Sequence, residues 1–211
     1  MKKVKIIVAL AIVVALLATP MMMVAAVPSR TTVWDDWGIR PGTLLEALHF
    51  TIYDADENYV ESGTAMWNPE TGQISATPDP NNMSAMAQTP NLPVTIPAHG
   101  SIRFRSAADT RGWHVAAGWR IGFVARAARV VQIQTEWRRN TNANPGAIIS
   151  TNITNQRVFP GILTVSTAGF FSVSLHNLSS TAVVIDRFEA RVEQSALALQ
   201  AWMASRANAW S

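Results

Sequence analysis

The sequence predicts an all-β protein, an antiparallel β-sandwich or jelly roll of about nine strands. A hydrophobic signal or anchor helix precedes it and a short helix follows it. Three observations carry this reading. Apolar and polar residues alternate with period two through most of the chain after Val27. Turn-forming clusters of Gly, Pro, Asn, Asp and Ser recur roughly every 8–12 residues. The chain has 211 residues, is 48% hydrophobic and holds no cysteine, so it must be held by a buried core rather than by disulfides.

The N-terminus reads as an export segment. Met1-Lys2-Lys3-Val4-Lys5 is a positive flank, Ile6 to Ala18 is an apolar run, and Thr19-Pro20 ends it. Val24-Ala25-Ala26 supplies the small residues of a cleavage site, so residues 1–26 are expected to be a signal peptide. The alternative is an uncleaved anchor over 6–27, long enough to cross the apolar layer of a bilayer. Either way the lysines hold the N-terminus inside, and the rest of the chain is expected outside the cytoplasm, secreted or anchored at the cell surface.

Strand expectations follow in order. In Leu44–Tyr53, Leu48, Phe50 and Ile52 face one way and His49, Thr51 and Tyr53 the other. Asp54 to Asn58 is a polar turn, Tyr59 to Trp67 a second strand, Asn68 to Gly72 a reversal and Gln73 to Thr77 a third strand. Pro78 to Pro93, with four prolines, reads as a long surface loop. Val94–Ile96 leads to the turn Pro97-Ala98-His99-Gly100. Ile102 and Phe104 then point inward, and Arg103 and Arg105 outward. Trp113–Val115 and Trp119–Val124 read as short strands. Val131, Ile133, Thr135 and Trp137 alternate with Gln132, Gln134, Glu136 and Arg138 in another. Asn140 to Pro145 reads as a loop. Ile162–Val165, Phe171–Leu175 and Ala182–Val192 complete the set. A phase change predicts a β-bulge near Asp186-Arg187. Residues 27–193 thus form the β domain. In the tail, 194–211, Leu199, Trp202, Met203, Arg206 and Trp210 recur at helical spacing.

Part of this pattern resembles a known family. Thr95-Ile96-Pro97-Ala98-His99-Gly100, Ala116 to Ile121, Ala168-Gly169-Phe170-Phe171 through Asn177-Leu178-Ser179-Ser180, and Val183 to Val192 are similar to the strand pattern of GOLD-type (p24-like) β-sandwiches. In those a Gly-aromatic strand ends in an Asn-Ser turn before a terminal strand. The resemblance spans roughly 94–192. The chain departs from the family in having no cysteine pair, no coiled coil and no C-terminal membrane helix. The resemblance implies a sandwich used for protein–protein or lipid-side interaction rather than catalysis.

Charge excludes one class of partner. All lysines lie at positions 2, 3 and 5, and from Val27 onward 14 arginines balance 14 acids. The basic excess belongs to the leader, and no nucleic-acid partner is expected. The charges are nevertheless segregated, with a balance of −7 over 27–80 and +7 over 81–157. Such a split either pairs across the sheet or docks one copy head to tail on another.

Candidate binding residues are tryptophans in polar company. Trp34-Asp35-Asp36-Trp37 places two rings around two carboxylates in an early segment, and Trp67 closes a strand. Exposed, they stack on sugar rings; packed, they close an open sandwich end. Asp54, Asp56 and Asn58 stand at positions 1, 3 and 5 of a calcium loop. Tyr59 and Ala65 replace the glycine and glutamate that loop needs, so a hairpin turn is the better reading. The four histidines have no zinc spacing, no Gly-x-Ser-x-Gly elbow appears, and no cofactor is implied. Asn82-Met83-Ser84, Asn152-Ile153-Thr154 and Asn177-Leu178-Ser179 are glycosylation sequons.

The expectation is a non-enzymatic cell-envelope or extracellular structural and interaction protein. Its partners would be copies of itself or surface proteins, joined by strand addition from Val27–Gly38 and by charge complementarity. Membrane contact is expected only through 6–27 if that segment is uncleaved. The alternative is a carbohydrate-binding sandwich with polysaccharide as partner, and a third reading is a secreted hydrolase.

Overall fold

The computed structural model describes residues 47–67, 73–78, 93–107, 109, 111–141 and 146–211. All of them belong to the compact unit Ile39–Ser211. The expected export segment, Trp34 to Trp37, Asn82 and most of the proline-rich stretch lie outside these residues. No helix among the described residues is long and apolar enough to cross a membrane.

The chain forms a mostly antiparallel β structure and one helix. The strands are β1 (Ala47–Tyr53), β2 (Tyr59–Trp67), β3 (Ile74–Pro78), β4 (Val94–Ile96), β5 (Ser101–Ser106), β6 (Trp113–Val115), β7 (Arg120–Asn140), β8 (Ala147–Thr164), β9 (Gly169–Asn177) and β10 (Val183–Glu193). Helix α1 covers Ala196–Trp210. The ten strands join into one curled sheet in the order β3-β2-β1-β5-β9-β7-β10-β4, with β6 on β9 and β8 on β7. A lone bridge between Gln73 and Arg187 brings the β3 end toward β10, so the sheet curls into a half-barrel.

β7 makes the curl possible. Its first half, Arg120 to Ala127, pairs with β10, and its second half, Ile133 to Asn140, pairs with β9. β8 follows it along both halves, with the register shifting between Arg126 and Val131 and again between Trp137 and Arg138. Bulges bend a strand and increase its twist. Phe123 and Trp137 therefore meet with ring centroids 5.8 Å apart. In a straight strand their fourteen-residue separation would span about 46 Å.

The curled sheet encloses the core. Phe123 stacks on Phe188 at 5.6 Å, and Phe104 of β5 meets Phe188 of β10 at 4.5 Å. Leu48, Phe50, Ile102, Ile121, Ile133, Val173 and Leu175 are buried around them. Gly161 lies opposite Phe123 in the β7–β8 register, and a methyl group there would run into the Phe123 ring.

Two expectations about strands are corrected. Trp119–Val124 and Val131–Arg138 are not separate strands but parts of the 21-residue β7. Residues 125–130 hold no glycine or proline, so the chain bulges there instead of turning. Residues 147–161, to which the sequence pattern assigns no element, form most of the 18-residue β8. Pro160 is tolerated inside it because β8 pairs only with β7 among the described residues, which leaves the missing N–H on the free side. The expected bulge near Asp186-Arg187 is present as a register shift between Ile185 and Arg187.

Helix α1 covers the outer face of the β8-β7-β10 limb. Ser195 caps it, its Oγ accepting from Ala198 N at 3.2 Å. Leu199, Trp202, Met203 and Trp210 are buried with Val124. Gly122 leaves room for this, since a Cβ there would lie 3.0 Å from Met203 Sδ. Glu189 lies under the helix, fully buried, with Arg206 Nε 2.9 Å from its Oε2. Burial raises the Glu189 pKa and Arg206 opposes that rise. Removing the partner of a buried charge is costly. Arg206→Met should therefore lower stability by about 2–4 kcal/mol at neutral pH, and adding Glu189→Gln should restore most of it. Urea midpoints of the three proteins check this. An Arg206→Met midpoint equal to wild type would show that the ion pair contributes nothing.

Candidate functional site

Side chains of opposite parity to the core cover the outward face of β2, β1, β5, β9 and the second half of β7. Direct cross-strand partners share a face, so the register fixes which residues lie in line. One row runs Gln134, His176, Ser101, Tyr53, Tyr59. The next runs Glu136, Ser174, Arg103, Thr51, Ser62. Beyond it Arg138 lies opposite Ser172, and Arg105 opposite His49 and Thr64. With strands about 4.8 Å apart, this polar face is about 19 Å wide.

The face is ordered by its own contacts. Glu136, 4% exposed, pairs with Arg138 Nε through Oε1, and its Oε2 is 3.6 Å from His176 Nε2. Arg138 also donates from Nη1 to the Gly146 carbonyl at 3.2 Å. Arg105 Nε lies 3.2 Å from His49 Nδ1, an arrangement in which Nδ1 accepts. Arg103 donates from Nη1 to Tyr53 Oη at 3.4 Å and lies over the Tyr53 ring, 5.2 Å from its centroid. Its Nε is buried and has no hydrogen-bond partner. Tyr59 stands 47% exposed at the rim, its hydroxyl 3.0 Å from Ser62 Oγ.

Burial and like charge set the electrostatics. Desolvation is the main cause that lowers the Arg103 pKa. Arg138 and Arg105 add to it, while Tyr53 and Glu136 oppose it. His176 is lowered first by burial and then by Arg138 and Arg103, against the pull of Glu136 and Glu57. Its neutral form is therefore favoured. Among the described residues no group of three or more His, Cys, Asp or Glu side chains is placed to bind a metal ion.

The residues singled out from sequence fall elsewhere. Trp34, Asp35, Asp36 and Trp37 lie outside the described residues. Trp67 ends β2, its backbone paired with Ile74. Asp54, Asp56 and Asn58 form the β1–β2 hairpin turn. There Asp54 Oδ1 accepts from the backbone N–H of Asp56 and of Asn58, both at 2.9 Å, and Oδ2 accepts from Asn58 Nδ2 at 3.2 Å. These bonds lower the Asp54 pKa, the Asn58 backbone N–H contributing most. Glu57 takes a left-handed φ of 62° to close the turn.

The sequons separate clearly. Asn152 is exposed on β8. Asn177 is fully buried. Its Nδ2 donates to the carbonyls of Pro97 and Thr181, both at 2.8 Å, and its Oδ1 accepts from Ser179 N at 3.0 Å. That side chain pins two turns together and offers no acceptor nitrogen in the folded protein.

No family model matches the chain, and no curated protein matches it in sequence. Among solved structures it is similar to a CBM4 structure, with 10% identity, TM-score 0.33, and coverage of 68% of this chain and 89% of that one. It is also similar to the CBM22-1 xylan-binding domain of Paenibacillus barcinonensis Xyn10C, with 9% identity, TM-score 0.32, and coverage of 74% and 99%. A family 6 carbohydrate-binding module matches at 14% identity and TM-score 0.31, over 68% and 93%.

A pH dependence follows from the two depressed histidines. Burial lowers His176, and burial and then Arg111 lower His114. A histidine held neutral in the folded state contributes stability that is present above its ordinary value of 6.5 and is lost as pH falls through the lowered value. Buried Glu189 acts in the opposite sense at lower pH, so the comparison must be between variants. Thermal midpoints should fall below pH 6.5, and His114→Gln/His176→Gln should flatten that fall. An unchanged slope in the double variant would refute the assignment.

Proposed function

We propose that this chain is an exported, non-enzymatic carbohydrate-binding module that holds polysaccharide across the polar face of β2-β1-β5-β9-β7. What supports the reading is the face itself. Three rows of hydroxyl, guanidinium, amide, carboxylate and imidazole groups are fixed on a rigid sheet. Sugar hydroxyls both donate and accept. The hydroxyls of Ser101, Thr51, Thr64 and Tyr53, which are not buried, match them in both roles, while arginines supply donors. The exposed ring of Tyr59 at the rim offers an apolar platform for a pyranose face. Glu136, held by Arg138, is the one carboxylate on these rows, whereas a glycosidase of the usual kind works with two. The expected leader, 1–26 or 6–27, places such a module where polysaccharides are. Titration of the intrinsic tryptophan fluorescence with neutral and acidic polysaccharides should give a saturable change. Thr51→Trp, which fills the middle of the face without changing its charge, should weaken binding at least tenfold while circular dichroism stays that of the parent. Failure of every polysaccharide to bind would end the reading, as would wild-type affinity in the variant.

A second reading, assembly with copies of itself, is favoured by the β8 edge. Over Ala147–Arg157 this strand carries one charge, and Ile148, Ile149 and Ile153 are exposed. A long, weakly charged, unpaired strand edge is a template for another strand, and Val27–Gly38 of a neighbour is the segment expected to supply one. It also suits the interaction role that the GOLD-type resemblance implies. Sedimentation should show concentration-dependent association that Ile149→Lys/Ile153→Lys and deletion of 27–38 each abolish. A monomer at every concentration would end this second reading.

A further inference from the structure

Resting on the carbohydrate reading, we infer that the saccharide held by this face is acidic, a polymer bearing sugar-ring carboxylates of the uronate type. What carries this is one unmatched donor, Arg103. Arg103 sits at the centre of the face, in the middle row, between Ser174 and Thr51. Arg105 shares its strand and face, and Arg138 lies on the same face of β7. The carboxylate on these rows is Glu136, and Arg138 holds its Oε1.

Arg103 itself meets no carboxylate among the bonds it makes. Its Nη1 is spent on the Tyr53 hydroxyl, its guanidinium lies against the Tyr53 ring, and its Nε is buried without a partner. A buried donor left unpaired costs free energy, and guanidinium forks match carboxylates bidentately. A carboxylate arriving at Arg103 would supply the missing acceptor, and the half-buried Ser101 and Thr51 lie near it for neighbouring ring hydroxyls. A neutral sugar offers hydroxyls but adds no anionic charge to the attraction that Glu136 already exerts on Arg103. A nucleic acid would demand a run of phosphate-binding cations, whereas here the cations are interleaved with hydroxyls and with Glu136.

The test compares one polymer in two charge states. Isothermal titration of the full chain with polygalacturonate should give saturable binding. The same polymer with its carboxylates methyl-esterified should bind at least tenfold more weakly. Arg103→Gln should erase that preference while its thermal midpoint and circular dichroism stay near the parent, and raising NaCl from about 50 to about 500 mM should weaken only the acidic polymer. Equal affinity for both polymers, or preference for the ester or for a neutral xylan, would overturn the acidic assignment and leave the carbohydrate reading standing. Equal binding of polygalacturonate, heparin and duplex DNA, unaffected by Arg103→Gln, would reduce the effect to bulk charge and also overturn it. No binding to any polysaccharide would remove both.

Discussion

The bend of β7 is the constraint on which the rest of the molecule depends. One strand pairs with β10 in its first half and β9 in its second, so both limbs of the sheet are built on the same backbone. Phe123 and Trp137 face each other only because the four residues Ala127 to Val130 bulge against Arg157 of β8. Filling the space between the limbs then falls to large rings, of which Phe104, Phe123 and Phe188 are fully buried. Their burial is the main favourable term in a chain with no disulfide. Rigid limbs in turn hold the polar rows in register, because a one-residue slip would send every outward side chain into the core.

Much of the fold was legible along the chain. Alternation alone assigns the inward and outward sides of β1 and β5, and the phase change in β10 marks its bulge. What alternation cannot supply is strand order. The outward residues of four separate stretches, His49 and Tyr53, Arg103, Glu136, and Ser174 and His176, become one site only when β1, β5, β9 and β7 lie side by side. The tryptophans drew attention because large rings stand out in composition, whereas the serines of the face do not. β8 was missed because its first half is exposed on both faces, so burial imposes no period-two pattern on it. β7 was divided because Ala125 to Val130 lacks polar alternation, although nothing there breaks a strand.

The charge segregation takes a local form in the described residues. Arg126 with Asp186 joins adjacent strands, Arg138 with Glu136 and Arg191 with Glu193 join residues two apart on one strand, and Arg206 with Glu189 joins helix to sheet. These named pairs draw on acids from position 136 onward. Three arginines, Arg103, Arg105 and Arg138, interleaved with hydroxyls on one sheet face favour recognition of a particular shape of anion over indiscriminate attraction.

Helix α1 has a consequence for biosynthesis. It leaves the ribosome after all ten strands, and until it docks, the outer surface of Gly122, Val124 and Glu189 is wet. An emerging chain can therefore assemble its curled sheet with a hydrated carboxylate at that position. Only afterwards does the final segment shut the water out, with Arg206 delivering the counter-ion as it arrives. Docking the helix and neutralising the buried Glu189 carboxylate are thus one event.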